Sequence, residues 1–175
     1  MPTPVTHAAV GFAIGAWMQE RSPAMRVCVA AAACAALPDI DVLWSPLPPT
    51  SPFSHRAITH SLAFALISAL VVTAVFFRGD QWKQQRGRIG LVLTLALVSH
   101  GFLDALTAWS QAVASLAPFS MRRFRFPWTP LGSPRGSLAW EFCKEALFVL
   151  LPALLLGWWR IRDRGRDLVE TPPPA

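Results

Sequence analysis

Seventeen consecutive residues, 61–77 (SLAFALISALVVTAVFF), carry no charge, and the run 89–106 holds a single acid, Asp104. Both are close to the roughly 20 residues that a helix needs to cross a bilayer core. Three further apolar segments, 5–18, 27–37 and 146–159, are shorter. They suit tilted or partly submerged helices, and the first two suit a hairpin that does not fully cross. Pro152 is expected to kink the last. Only 15% of the chain is charged, against roughly 25% in an average soluble domain. Runs of this length also occur as core helices of soluble all-α proteins, but so little charge cannot cover a soluble surface. The expectation is an all-α, membrane-embedded bundle of about five apolar segments, with one long surface connection. A single domain is expected over 1–166, followed by a disordered tail over 167–175 that ends TPPPA.

The charge pattern supports a bilayer rather than nucleic acid as partner. Sixteen Lys and Arg face ten acids, but they fall between the apolar runs instead of along one face. No direct nucleic-acid binding is expected. Six of the eight Trp, at 17, 44, 109, 140, 158 and 159, flank apolar runs where an interfacial belt lies. Arg21, Arg26, Arg78, Lys83, Arg86, Arg88, Arg160, Arg162, Arg164 and Arg166 would share one side of a strictly alternating chain. Arg56, Arg122, Arg123, Arg125, Arg135 and Lys144 would share the other. The positive-inside rule then places the N-terminus outside and the C-terminus inside. Cys28, Cys34 and Cys143 form no CxxC pair, so neither a disulfide framework nor a thiolate metal site is expected. In the long connection, MRRFRFPWTPLGSPRG alternates Arg and Phe. It reads either as an extended strip on the membrane surface, Phe down and Arg towards phosphates, or as a solvated basic loop.

The polar residues collect on one side. His7 opens the first segment, Asp39 and Asp41 follow the second in LPDIDVLW, His55 and His60 precede the third in FSHRAITHS, and His100 and Asp104 end the fourth. In an alternating chain these seven side chains meet whichever way the protein is oriented. His100 and Asp104, four apart, share a helix face. Pro38 is expected to end the second helix and leave both aspartates on a turn, while Thr59 or Ser61 caps the third. Imidazoles and carboxylates without thiolates suit a divalent cation, zinc or manganese foremost. Each piece has an ordinary structural reading, but ionisable groups at membrane depth are costly and mark functional sites. The expected inner shell is Asp39, His60, His100 and Asp104. His7 and His55 complete a binuclear site if one exists, Asp41 serves as second-metal ligand or general base, and Arg56 holds a phosphate or carboxylate or else pairs with Asp41.

THAAVG, LPDID, HRAITHS and SHGFLDALT, in this order among apolar helices, resemble the YdjM/YbcI-type family of bacterial inner-membrane proteins. The resemblance runs from His7 to about Glu141 and includes an RFRxP match at 123–127. The family has Gly where this chain has Ala57 and often His where it has Val42, which removes one candidate ligand. It implies a membrane-bound, metal-dependent hydrolase, and for some members regulation by or binding to LexA. The His100–Asp104 helix is also faintly similar to zinc-dependent phospholipase C and P1-type nucleases. That favours a phosphoester, and a site at the bilayer surface favours a lipid or lipid-linked one. The expected location is the bacterial inner membrane, multi-pass, with the site extracytoplasmic. The rivals are a non-catalytic metal-binding membrane protein and a regulatory adaptor with a cytoplasmic partner.

Overall fold

All five apolar segments are helical in the computed structural model, which describes residues 2–19, 24–44, 47–48, 50–108, 111–132 and 137–170, except for the side chains of 44 and 164–170. The helices are α1 (Pro4–Trp17), α2 (Met25–Ala36), α3 (Leu62–Phe76), α4 (Arg86–Ala105), α5 (Leu138–Glu145) and α6 (Leu151–Glu170). α5 and α6 are joined by a π-helical turn, Ala146–Leu150, so the fifth apolar segment starts eight residues earlier than the sequence suggested. The turn lies just ahead of Pro152, which lacks the N–H that a regular helix would use. Helix α6 extends to Glu170, and 171–175, the rest of the expected tail, lie outside the described residues. So do Arg21, Trp109 and Arg135, while Trp44, Arg164 and Arg166 have no described side chain.

The expected turn after α2 is instead a 3₁₀ helix, Leu37–Trp44, through Pro38 and both aspartates. Ser61, not Thr59, caps α3, its hydroxyl accepting the Phe64 N–H at 3.1 Å. The Arg/Phe stretch forms one antiparallel bridge, Val113 to Phe124, among the described residues.

On α3 and α6 small side chains face the inside of the bundle and large ones face out. α3 buries Ala65, Ala69 and Thr73 but exposes Leu66, Ile67, Leu70, Val71 and Val75. α6 likewise exposes Leu154, Leu155, Leu156, Trp158 and Trp159 around the buried Ala153 and Gly157. Close backbone approach through small residues with an apolar exterior is how helices pack in lipid. α1 and α2 pack most tightly: a Cβ at Gly15 would lie 2.9 Å from Cys28 Cα, and one at Gly11 would collide with Ala31 O and Ala35 Cβ. This Gly-x-x-x-Gly pattern was present in the sequence but not read there. Asp80–Ala105 and Leu138–Asp163 are long and apolar enough to cross a membrane.

The far ends of α1 and α3 are capped by arginines. Arg26 Nη2 donates to Phe76 O (2.8 Å), Arg86 Nε to Phe77 O (2.8 Å), and Arg88 Nε to Met18 O (2.6 Å). Arg160 Nη2 donates to Gln19 O (3.1 Å). Terminal carbonyls that have no helical partner are thereby satisfied. The opposite end of the bundle carries the histidines and aspartates.

Candidate metal centre

Asp39 comes from the 3₁₀ helix, His60 from a single 3₁₀ turn (Ile58–His60) before α3, and His100 and Asp104 from adjacent turns of α4. One donor atom of each lies within 4.8 Å of the others. His60 Nε2 is 3.0 Å from His100 Nε2, 3.2 Å from Asp104 Oδ2 and 3.9 Å from Asp39 Oδ1. His100 Nε2 is 3.4 Å from Asp39 Oδ1 and 3.7 Å from Asp104 Oδ2. Donors at zinc-ligand distance in a tetrahedral site lie about 3.3 Å apart, which is the middle of this range. These are the four residues expected as the inner shell.

The surrounding hydrogen bonds point the lone pairs inward. His100 Nδ1 donates to Ala35 O at 2.7 Å, so its Nε2 is bare. Thr59 donates its hydroxyl to Asp41 Oδ2 at 2.6 Å, so toward His60 Nδ1, at 3.0 Å, its oxygen can only accept. Asp41 Oδ2 also lies 3.3 Å from that nitrogen. His60 therefore carries a proton on Nδ1, which leaves Nε2 as the ring atom that a metal would take.

Two ring nitrogens this close need a proton or a cation between them, and Asp39 is no better satisfied. Among the described residues, neither carboxylate oxygen of Asp39 has a hydrogen-bond partner, and the same holds for both ring nitrogens of His7. Orphaned buried polar atoms are rare in native proteins and call for a missing partner. Asp39, Asp41 and Asp104 gather three carboxylates at this end of the bundle, with Arg56 paired to Asp104. The donor set and its charge fit a divalent metal ion.

The other expected site residues take supporting positions. His7 stacks on His100 with ring centroids 3.7 Å apart, its Nε2 3.7 Å from Asp104 Oδ1. Asp41 is engaged on both oxygens: Oδ1 by His55 Nδ1 (2.7 Å), Oδ2 by Thr59, His60 and the Arg56 backbone N–H (3.1 Å). Burial raises the Asp41 carboxyl pKa, but the hydrogen bonds from His55, His60 and Thr59 outweigh it and hold the pKa well below the usual range. Asp41 thus orients two histidines, and donor atoms of Asp41, His55 and His60 lie within 4.8 Å of one another, a second group that could hold a metal ion.

Arg56 is fully buried. Its Nε meets Asp104 Oδ2 at 2.9 Å, and its Nη1 donates to Thr107 Oγ1 (3.2 Å) and Gln111 O (3.1 Å). The side chain pairs with Asp104 rather than Asp41 and does not reach the surface to meet a phosphate. Its backbone sits at φ 62°, a costly conformation for a non-glycine residue and one found where function demands it. Arg123 turns inward instead of facing the membrane surface. Its Nη1 donates to Ala112 O (2.8 Å) and His55 O (3.3 Å), and its Nη2 to Ser54 Oγ (2.7 Å).

Glu145 was not recognised in the sequence. Its Oε1 accepts from Thr3 N–H (2.5 Å), Thr3 Oγ1 (2.7 Å) and Thr6 Oγ1 (2.5 Å), which anchors the start of α1 and with it His7. An acid at the edge of an apolar run was the available signal. Val42, where the family often has His, is 53% exposed.

Fold and site together define a helical membrane-type bundle with a buried His/Asp cluster that could hold a metal ion. The chain belongs to the YdjM inner membrane protein family, whose model matches residues 1–166. It is 35% identical over 176 residues to inner membrane protein YbcI of Escherichia coli (strain K12), covering 93% of this chain and all of that protein. No solved structure matches it.

Proposed function

We propose that this chain is a multi-pass inner-membrane hydrolase whose cofactor is a divalent metal ion, zinc or manganese, held by Asp39, His60, His100 and Asp104. The carrying observation is the 3.0 Å approach of two imidazole nitrogens beside Asp39, whose carboxylate has no hydrogen-bond partner among the described residues. A dication bound there supplies Lewis acidity and an acidified water. The protein's part is to hold both histidines in the ligating tautomer and to orient Asp104 through Arg56. It also excludes bulk water, since among the four ligand side chains only Asp39 is exposed at all, at 8%. His55, 13% exposed and bonded to Asp41, is the titratable group nearest the outside and the best placed to pass a proton. The substrate class is a phosphoester, lipid-linked because exposed Ile40, Val42, Leu43 and Phe53 surround this end of the bundle. The positive-inside count puts that end on the extracytoplasmic side.

A second reading has its own support. Four protein donors and near-complete burial describe a closed structural site, whereas catalytic zinc sites keep an open position. Elemental analysis of the detergent-purified protein beside a His100→Ala, Asp104→Ala double variant tests the metal. Hydrolysis of phosphoester and phospholipid substrates by the metal-loaded protein then separates the readings. Stoichiometric metal with no turnover leaves the structural role, and no metal in either protein rejects both.

A further inference from the structure

Helices α2 and α3 both pack on α4 but scarcely on each other. Between them an open groove of about 340 Å³ is left, lined almost wholly by apolar atoms. On α2 and just past its end the lining follows helical spacing, with Val29, Ala30, Ala33 and then Leu37, and across from it stand Val72 and Phe76 of α3. Arg26 closes the end away from the metal centre. We infer that this groove seats one acyl chain of an anionic phospholipid, with the lipid phosphate on Arg26.

The dimensions select the occupant. From position 26 to 37 a helix rises about 16 Å. A volume of 340 Å³ over that length leaves a cross-section of roughly 20 Å², room for a single extended hydrocarbon chain. A helix 10 Å across would need roughly 80 Å², so a helix could only lie across the groove, whereas an acyl chain fits within it. The polar end matches in charge. Arg26 is exposed, donates Nη2 to Phe76 O, and rests 5.6 Å from the centre of the Phe77 ring. That fixes the guanidinium and leaves donors for a phosphate. Arg78 lies just beyond the end of α3 and adds to the basic character of this edge. The groove opens on the outward, apolar side of the bundle, where lipid is the solvent. It involves none of the metal-centre residues, so the inference stands apart from the proposed reaction.

The test uses the full chain in phosphatidylcholine proteoliposomes, with trace phosphatidylglycerol or phosphatidylcholine spin-labelled on one acyl chain. Electron paramagnetic resonance then reads the motionally restricted lipid per protein. Ala33→Trp and Val29→Trp each fill the groove from an exposed position and are expected to remove one restricted lipid. Arg26→Gln should keep that lipid but lose about fivefold in preference for the anionic headgroup, the contribution of one basic side chain near a membrane surface. Circular dichroism checks that the variants keep their helix content. An unchanged restricted fraction in both Trp variants, or full anionic preference in Arg26→Gln, would overturn the assignment. So would Trp variants that alter only the oligomeric state measured by light scattering.

Discussion

The Nε2 atoms of His60 and His100 face each other at 3.0 Å, and each ring's Nδ1 is already committed, to Thr59 with Asp41 on one side and to Ala35 O on the other. Residues 40 positions apart thus direct two ring nitrogens at one point, an arrangement that a cation or a shared proton satisfies.

Asp41 is read as orienting His60, so Asp41→Asn should weaken metal binding without abolishing it. The expected loss is about 10–100-fold, the usual effect of removing an outer hydrogen-bond partner. His60→Ala should leave no stoichiometric metal at all. Competition titration against a chromogenic chelator measures both, and equal losses in the two variants would count against the assignment.

Removing the metal should destabilise the folded chain. A ligand present at about 1,000 times its Kd contributes about 4 kcal/mol, so chelation should lower the detergent-solubilised Tm by several degrees and re-addition should restore it. A Tm indifferent to chelator would mean that the cluster is satisfied by protons alone.

Arg56→Met would strand Asp104 in the interior. Breaking a buried ion pair from one side costs about 3–5 kcal/mol, and the full cost is expected in metal-free protein. Bound metal should reduce it, because the cation then compensates the same carboxylate. Thermal unfolding with and without metal resolves the two values, and a cost below about 1 kcal/mol in both states would refute the positioning role.

Gly11→Ala and Gly87→Ala should differ although both are helical. The first drives a methyl group into Ala31 O and Ala35 Cβ, which should cost about 1–3 kcal/mol as overpacking. The second meets nothing within 4 Å and should gain up to about 1 kcal/mol through helix propensity. Paired melting curves decide it.

Much of the site was legible because connectivity alone brings segment ends to one side of a bundle. Asp39, His60, His100 and Asp104 were readable as a group, since each stands at the same end of its apolar run. Asp41, Arg56 and Arg123 were harder, because nothing local tells whether a polar side chain faces a ligand or a neighbour. Asp41 sits two residues from Asp39 on a 3₁₀ helix, which turns it about a third of a revolution away, towards His55 and the far side of His60. Glu145 was missed because its partners, Thr3 and Thr6, lie more than 130 positions away.

The sequence by itself determined the solvent and the helices. Uncharged runs of this length can satisfy their backbone in lipid only as helices, and their Gly and Ala positions dictate which faces approach closely. It also determined the donor types at one end of the bundle. Only the tertiary structure decided which atoms meet and which hydrogen-bond partners surround each imidazole and carboxylate. Those outcomes depend on hydrogen bonds a few ångströms long between segments distant in the chain, and on burial that removes water as a competing partner.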